Sequence, residues 1–150
     1  MNNILFIGGS GFIGSATVKL FHNKNINVDV LTQGHSQNNL KKTNINIIQT
    51  VYDEIKISEV LKNKTYSSVY IFNGNPHPIN SYNNPLFDIN FLITPLLSIL
   101  EALRKLNFKG SIWFSSSVAV YGSSTGFKLK ESFEPKPISP YGISKFSAEN

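Results

Sequence analysis

Short apolar runs recur along this chain and are separated by longer stretches of mixed polarity. In those stretches apolar residues return at spacings of three and four, a pattern typical of amphipathic helices. Strands that alternate with helices form parallel β-α units, so we predict an α/β fold with a doubly wound parallel sheet. Five runs are predicted as strands: Ile4–Ile7, Val28–Leu31, Ile45–Ile48, Val69–Phe72 and Ser111–Phe114.

The intervening helices have distinct signals. The first is predicted over about 11–23, and its sheet-facing residues are predicted to be Ile13, Ala16 and Leu20. The longest helix begins at the Asn84-Pro85 start signal, and Pro95 inside it should kink it or free a carbonyl group. Spacings of four and three predict its buried face: Leu92, Leu96, Ile99, Leu103 and Leu106.

A glycine turn, Gly8-Gly9-Ser10-Gly11-Phe12-Ile13-Gly14, links the first strand to the first helix. Gly8 allows a sharp turn, Gly11 lets phosphates approach the backbone, and Gly14 lets the helix pack on the strand. Backbone N–H groups at a helix N-terminus attract a dinucleotide pyrophosphate. The spacing is G-x-x-G-x-x-G, and a simple strand-capping turn is the alternative. The flanking strand and helix favour dinucleotide binding.

The residues after the second strand bear on which dinucleotide binds. An acidic residue there would hold the adenosine ribose of NAD, and a nearby Arg would accept the 2′-phosphate of NADP. Neither is present, and Asp29 lies inside the strand. Thr32 and Gln33 could each bind a ribose hydroxyl. We therefore predict NAD or NADP as the cofactor, with the missing acid tilting the choice slightly toward NADP.

Composition narrows the classes of partner. The 150 residues suffice for one domain, which we predict to be a dinucleotide-binding domain over 1–150. The absence of cysteine excludes disulfides and thiolate metal ligands, and no metal site is predicted. The net charge is +5, but the lysines are scattered and Lys41-Lys42 is the only mid-chain pair, so no nucleic-acid partner is predicted. We find neither a signal peptide nor a segment long enough to span a membrane, and predict a cytoplasmic protein with no membrane partner.

Two late stretches carry candidate chemistry. Serines follow the fifth strand, and Ser139 with Pro140 begins a helix in which Tyr141 and Lys145 lie one turn apart. The Lys145 ammonium and the helix N-terminus both favour the phenolate, so we predict a lowered pKa for Tyr141. Tyr141 could then take a proton from a substrate hydroxyl, and Ser117 could hydrogen-bond the same oxygen. By itself, Tyr-x-x-x-Lys is common on surface helices.

Together, Gly8–Gly14, Asn90 with Thr94, Phe114–Gly122 and Glu131–Lys145 resemble the N-terminal part of an extended short-chain dehydrogenase/reductase. The resemblance is to the NAD-dependent epimerase/dehydratase group, which acts on nucleotide sugars. It implies a Rossmann-like fold truncated after the start of the catalytic helix, a nucleotide-sugar substrate and a homodimer. It also implies epimerase, dehydratase or reductase activity by hydride transfer at a sugar carbon, with a Tyr general base. The implied catalytic residues are Ser117, Tyr141, Lys145 and Asn90. The candidate cofactor-binding residues are Gly8, Gly11, Phe12, Ile13, Gly14, Thr32, Gln33, Asn73, Gly74, Tyr141 and Lys145.

The chain departs from this family pattern in two ways. Thr32 replaces the acid usual in NAD-using members, and Asn73 and Ile93 replace smaller residues. The chain also stops soon after Lys145, whereas family members are considerably longer, so we expect a fragment that cannot turn over alone. A non-catalytic dinucleotide-binding module and an inactive remnant are the alternatives. The retained Ser117, Tyr141 and Lys145 favour an enzyme.

Overall fold

The structure, a computed structural model, describes residues 3–34, 37–40, 43–123 and 128–150 and contains one parallel β-sheet. Its five strands pair in the order β3-β2-β1-β4-β5, and every pairing is parallel. The first strand is central, the next two strands extend the sheet on one side of it, and the last two extend it on the other side. This order confirms the predicted Rossmann-like α/β class. The Lys41-Lys42 pair lies outside the described residues. The strands are β1 Asn3–Ile7, β2 Asn27–Thr32, β3 Asn46–Gln49, β4 Ser68–Ile71 and β5 Ser111–Phe114.

The described residues form two compact units. One comprises residues within 1–73 and 97–115 and contains the sheet, and the other comprises residues within 74–96 and 116–150. Short 3₁₀ turns occur at Gln37–Leu40 and Val118–Tyr121. The helices are α1 Phe12–Asn23, α2 Glu54–Lys62, α3 Asn80–Asn83, the continuous helical run α4 Leu86–Lys105, and α5 Pro140–Glu149.

The core of the first unit is built on β1, whose Leu5, Phe6 and Ile7 are fully buried. This is expected of a central parallel strand that is covered on both faces, where apolar side chains occur in succession rather than alternately. The Phe6 ring stacks on Tyr70 of β4 with 4.9 Å between ring centroids, and Phe21 of α1 packs edge-on against Phe6. These contacts hold the glycine turn, which follows β1, on a rigid strand.

The buried face of α1 differs from the predicted one. Gly14 and Val18 are buried and Phe21 packs against the core, whereas Ile13 and Leu20 are 65% and 54% exposed. Ala16 is exposed too. The reason is the close approach at Gly14, where an added Cβ would lie 2.8 Å from the Gly9 Cα. The helix approaches the sheet along its glycine side, so Ile13 and Leu20 point outward.

The long helix α4 accommodates Pro95 through a π-helical turn, Ile89–Ile93. Proline removes an N–H donor from a helix and displaces the preceding carbonyl. Here the Thr94 N–H donates to the Ile89 carbonyl, which widens the turn immediately before the proline. The predicted buried stripe is confirmed for Leu92, Leu96, Ile99 and Leu103, which are all nearly inaccessible to solvent. Its fifth member, Leu106, lies beyond the last residue of the helix and is only half-buried.

The same helix corrects one prediction about membranes. Leu86–Lys105 has 20 residues and a mean hydropathy of 1.7, so by length and composition alone it could cross a bilayer. The prediction that no segment is long enough is therefore wrong. Polar residues and Pro95 interrupt the apolar sequence, so the sequence alone does not predict one continuous helix of this length. The evidence for a membrane span is weak, since a core helix with a buried stripe passes the same test.

Candidate functional site

The glycine turn of the first unit has the geometry of an anion site. Gly8 has φ +74°, and a Cβ there would lie 2.7 Å from the Asn73 backbone nitrogen, so only glycine fits. A Cβ on Gly11 would instead face open space, its nearest neighbour being the Gly8 carbonyl oxygen at 3.6 Å. Gly11 is also the N-cap of α1 and, being a glycine, supplies no capping side chain. The first N–H groups of a helix have no partner within the helix, and such groups attract anions, so this turn is a candidate site for a pyrophosphate.

Thr32, which the sequence predicts as a candidate to bind a ribose hydroxyl, is the last residue of β2 and lies next to the glycine turn. Its side chain is buried, and its Oγ1 lies 2.7 Å from the Ser10 hydroxyl. The same oxygen accepts a hydrogen bond from the Gly34 N–H at 3.2 Å. These two hydrogen bonds tie the end of β2 to the glycine turn. Of the two candidates, the half-buried Gln33 is the one left accessible.

Asp29 has a structural role at the opposite end of β2. Its carboxylate accepts hydrogen bonds from Lys64 Nζ at 2.8 Å, Tyr66 Oη at 2.7 Å and Asn46 Nδ2 at 3.1 Å. Burial acts to raise the pKa of Asp29, but these three bonds and the Lys64 charge outweigh it and lower the pKa. Asp29 therefore cannot substitute for the missing acid after β2.

The second unit fixes the start of α5 as the sequence predicts. The Ser139 hydroxyl accepts from the Gly142 N–H at 3.0 Å, and Pro140 occupies the first turn. The Tyr141 N–H, another donor of this first turn, donates to the buried Ser81 hydroxyl at 3.2 Å. Two side chains thus fix the backbone on which Tyr141 stands.

Tyr141 meets Ser117 in this unit. The Ser117 hydroxyl hydrogen-bonds to the Tyr141 phenol and lowers its pKa, but burial is the larger influence and raises it, as does the charge of Asp88. The predicted acidic phenol is therefore wrong in direction, since the net pKa lies above the ordinary value. The prediction considered the charges on the helix and omitted desolvation of the phenolate.

Lys145 lies one helical turn beyond Tyr141 and is only 4% exposed. Burial lowers its pKa to about 8, against the opposing charges of Asp88 and Glu149. Its ammonium lies against the turn that follows β4: a Cβ added to Gly74 would be 3.3 Å from Lys145 Nζ. Gly74 thus leaves room for the lysine head group. The preceding residue, Asn73, is buried in the first unit.

Asn90, the fourth predicted catalytic residue, is not buried. It is exposed within the π-helical turn, whereas the fully buried polar residue of the same helix is Asp88. Sequence reasoning missed Asp88, although a signal was present. Asp88 lies four residues before Leu92 and therefore falls on the buried apolar stripe of α4. Burial of a carboxylate there costs free energy unless it is paired or hydrogen-bonded, so an acidic residue at this position is a signal of a specific role.

The fold and these two groups of residues define a Rossmann-like protein of the dinucleotide-binding class. Residues 4–150 match the model of the NAD dependent epimerase/dehydratase family, and the chain belongs to this family. The family assignment agrees with the resemblance inferred from the glycine turn and from the Ser117, Tyr141 and Lys145 positions.

Individual relatives are UDP-glucose 4-epimerases. The chain is 31% identical to that of Mycoplasma genitalium over 97% of its own length and 46% of the relative. It is similar to the Brucella ovis enzyme in complex with NAD, with a TM-score of 0.90 and 28% identity over 99% of this chain and 46% of that one. For the Thermotoga maritima enzyme with UDP-glucose the TM-score is 0.85, with 32% identity over 98% and 48%.

Two facts from these comparisons qualify the sequence predictions. The chain spans about half the length of the curated relatives it matches. The Brucella ovis structure contains NAD, so the lean toward NADP gains no support from it.

Proposed function

We propose that this chain provides the NAD-binding and proton-transferring parts of a nucleotide-sugar epimerase of the UDP-glucose 4-epimerase type. The observation that carries the proposal is the Ser117–Tyr141 hydrogen bond at the start of α5, with the buried Lys145 one turn further on. A module that only binds a dinucleotide needs the glycine turn but has no use for a hydroxyl, a phenol and an ammonium group in this arrangement.

We propose NAD as the cofactor because the glycine turn fits a pyrophosphate and a relative of 28% identity holds NAD. The uncapped N–H groups of α1 would bind the phosphates, and Gln33 would reach toward the adenosine ribose. NAD, when bound, supplies a hydride acceptor and donor for a sugar carbon. No acidic residue occupies the first turn of α1, so nothing there repels the phosphates.

Tyr141 is the proposed carrier of the proton. In an epimerisation a hydroxyl proton leaves with the hydride and later returns, so one group must act first as base and then as acid. Burial raises the pKa of Tyr141, so the phenol must gain positive charge nearby before it can act as a base. Ser117 stabilises the phenolate through its hydrogen bond, and we propose that the Lys145 ammonium adds to this stabilisation.

Substitution of Tyr141 tests this function. In the complete gene product supplied with NAD, Tyr141→Phe should abolish interconversion of UDP-glucose and its C4 epimer while leaving NAD binding nearly unchanged. Tyr82→Phe is the matched control, because Tyr82 is 61% exposed on α3 and should keep full activity. Turnover by Tyr141→Phe would contradict the assignment of the base. NAD binding by an inactive wild type would favour the non-catalytic module.

Two further features of the proposal concern the surroundings of the protein. We retain the cytoplasm as the predicted location and a homodimer as the predicted assembly. Leu97 and Leu100 of α4 are 61% and 36% exposed, and they give the dimer an apolar surface to bury. Sedimentation velocity of the complete gene product would distinguish a dimer from a monomer.

A further inference from the structure

Asp88 is a fully buried carboxylate whose two oxygens have different surroundings. Oδ1 accepts a hydrogen bond from Asn75 Nδ2 at 2.9 Å, and both residues are at most 5% exposed. Oδ2 is buried and has no hydrogen-bond partner among the described residues. An unsatisfied buried acceptor costs free energy, and a buried charge costs more. Asp88 therefore needs a compensating positive charge.

The nearby groups identify that charge. Asn75, which binds Asp88, directly follows Gly74, and the Cβ position of Gly74 lies 3.3 Å from Lys145 Nζ. The same position lies 3.7 Å from Leu92 Cδ1, which extends from α4 one helical turn after Asp88. The turn at 74–75 thus contacts the lysine head group on one side and the Asp88 side of α4 on the other.

The electrostatics agree with this geometry. The charge of Asp88 raises the pKa of Lys145 against the effect of burial, and it also raises the pKa of Tyr141. Two further titratable or polar groups act here: Glu149 on α5 raises the pKa of Lys145, and the Ser117 hydroxyl lowers that of Tyr141. Asp88 is the buried member of the two carboxylates, since Glu149 is exposed and accepts from the Ser116 hydroxyl.

We infer that Asp88, oriented by Asn75, is a positioning residue that holds the protonated Lys145 beside Tyr141. Its importance for catalysis rests on the proposed function, but its effect on Lys145 does not. Loss of the buried negative charge would lower the pKa of Lys145 by roughly one unit, so that about half of Lys145 would be a neutral amine at pH 7. A neutral amine cannot stabilise the phenolate of Tyr141, so the proton-transfer step would lose its electrostatic support.

The direct test is the pKa of Lys145, measured by NMR on the whole chain with ¹³Cε-labelled lysine and assigned with Lys145→Met. Asp88→Asn should lower the pKa from about 8 by roughly one pH unit. Glu149→Gln, the matched control, should lower it much less, because water and salt screen an exposed carboxylate. In 1 M salt the effect of Asp88→Asn should persist. An unchanged pKa in Asp88→Asn, or equal shifts in both variants, would overturn the inference.

A double-mutant cycle keeps the inference testable if Asp88→Asn folds poorly. Lys145→Met leaves Asp88 as an uncompensated buried charge, so adding Asp88→Asn to Lys145→Met should raise the urea midpoint or leave it unchanged. If Asp88 merely fills space and bonds Asn75, the second substitution should lower the midpoint further, and the inference fails. None of these measurements uses NAD or a nucleotide sugar, so they can fail while the proposed function holds.

Discussion

Ser117 and Tyr141 share a hydrogen bond although one precedes a 3₁₀ turn and the other begins a helix. The Ser117 Oγ also accepts from the Ala119 N–H at 3.2 Å, which ties the side chain to the 3₁₀ turn that follows it. A serine held in this way stabilises the phenolate more than the phenol. It is therefore the one neighbour found to oppose burial in setting the pKa of Tyr141.

Removal of this hydrogen bond should raise the pKa of Tyr141. Ser117→Ala deletes the donor to the phenolate, and burial and Asp88 then act unopposed, so the phenol should titrate at higher pH than in wild type. The pKa can be followed by NMR with ¹³Cζ-labelled tyrosine, assigned with Tyr141→Phe. Ser116→Ala is the control, because Ser116 donates to Glu149 instead. A fall in the pKa of Tyr141 in Ser117→Ala would refute the assigned direction.

The glycines of the turn should differ in what an added methyl group does. Gly8→Ala places a Cβ 2.7 Å from the Asn73 nitrogen at positive φ, and Gly14→Ala places one 2.8 Å from the Gly9 Cα. Each should lower the free energy of unfolding by about 1–3 kcal/mol. Gly11→Ala meets nothing nearer than 3.6 Å and should lower it by less than either of the other two, by at most about 1 kcal/mol, the cost of a poorer N-cap residue. Urea unfolding measures all three, and equal losses would contradict the geometry.

Acid should weaken the fold through Asp29. The pKa of this carboxyl is lower in the folded chain than in the unfolded chain, so it stabilises the fold at pH values above its unfolded pKa, near 4. That contribution is lost as the pH falls through the lower folded-state value. Asp29→Ala should destabilise the chain by about 1–3 kcal/mol at pH 7, because it leaves the buried Tyr66 hydroxyl without its acceptor.

The measurement for this prediction is urea unfolding from pH 7 to pH 2.5. Wild type should lose more stability over this range than Asp29→Ala, since the variant has already lost the group that titrates. Glu59→Ala is the control, because Glu59 pairs with Lys56 on the exposed surface and should leave the pH dependence unchanged. Parallel curves for wild type and Asp29→Ala would show that other carboxylates govern acid unfolding.

The sequence predicts the strands and most of the long helix because those residues are chosen by burial alone. The apolar run of β1 is fully buried, and the stripe from Leu92 to Leu103 is nearly inaccessible to solvent. The apolar run of β5 is the exception, since Ile112 and Trp113 are 44% and 56% exposed. The face of α1 could not be predicted in this way. Its orientation is decided by how closely Gly14 approaches Gly9. This approach depends on the absence of a side chain at Gly14, and a hydrophobic pattern contains no information about it.

In the candidate site, too, the residue identities could be predicted from sequence, whereas properties that depend on tertiary contacts could not. Ser117, Tyr141 and Lys145 could be named from their order and spacing, and the structure brings Ser117 to Tyr141. The direction of the Tyr141 pKa could not be predicted, because it depends on burial and on Asp88, a residue on another helix. The burial of Thr32 and its hydrogen bonds to Ser10 and Gly34 likewise could not be predicted, because they depend on how the end of β2 meets the glycine turn.

The central claim is that the open glycine turn binds NAD, and calorimetric titration of the chain tests it most directly. We expect saturable binding of NAD, with NADP weaker, and at least a tenfold loss of NAD affinity in Gly11→Val, whose side chain enters the space in front of the turn. Circular dichroism and urea unfolding of this variant check that it is folded. Ala16→Val, on the exposed face of the same helix, should bind like wild type. A folded wild type that binds neither dinucleotide, or a Gly11→Val variant that binds NAD as tightly as wild type, would contradict the account.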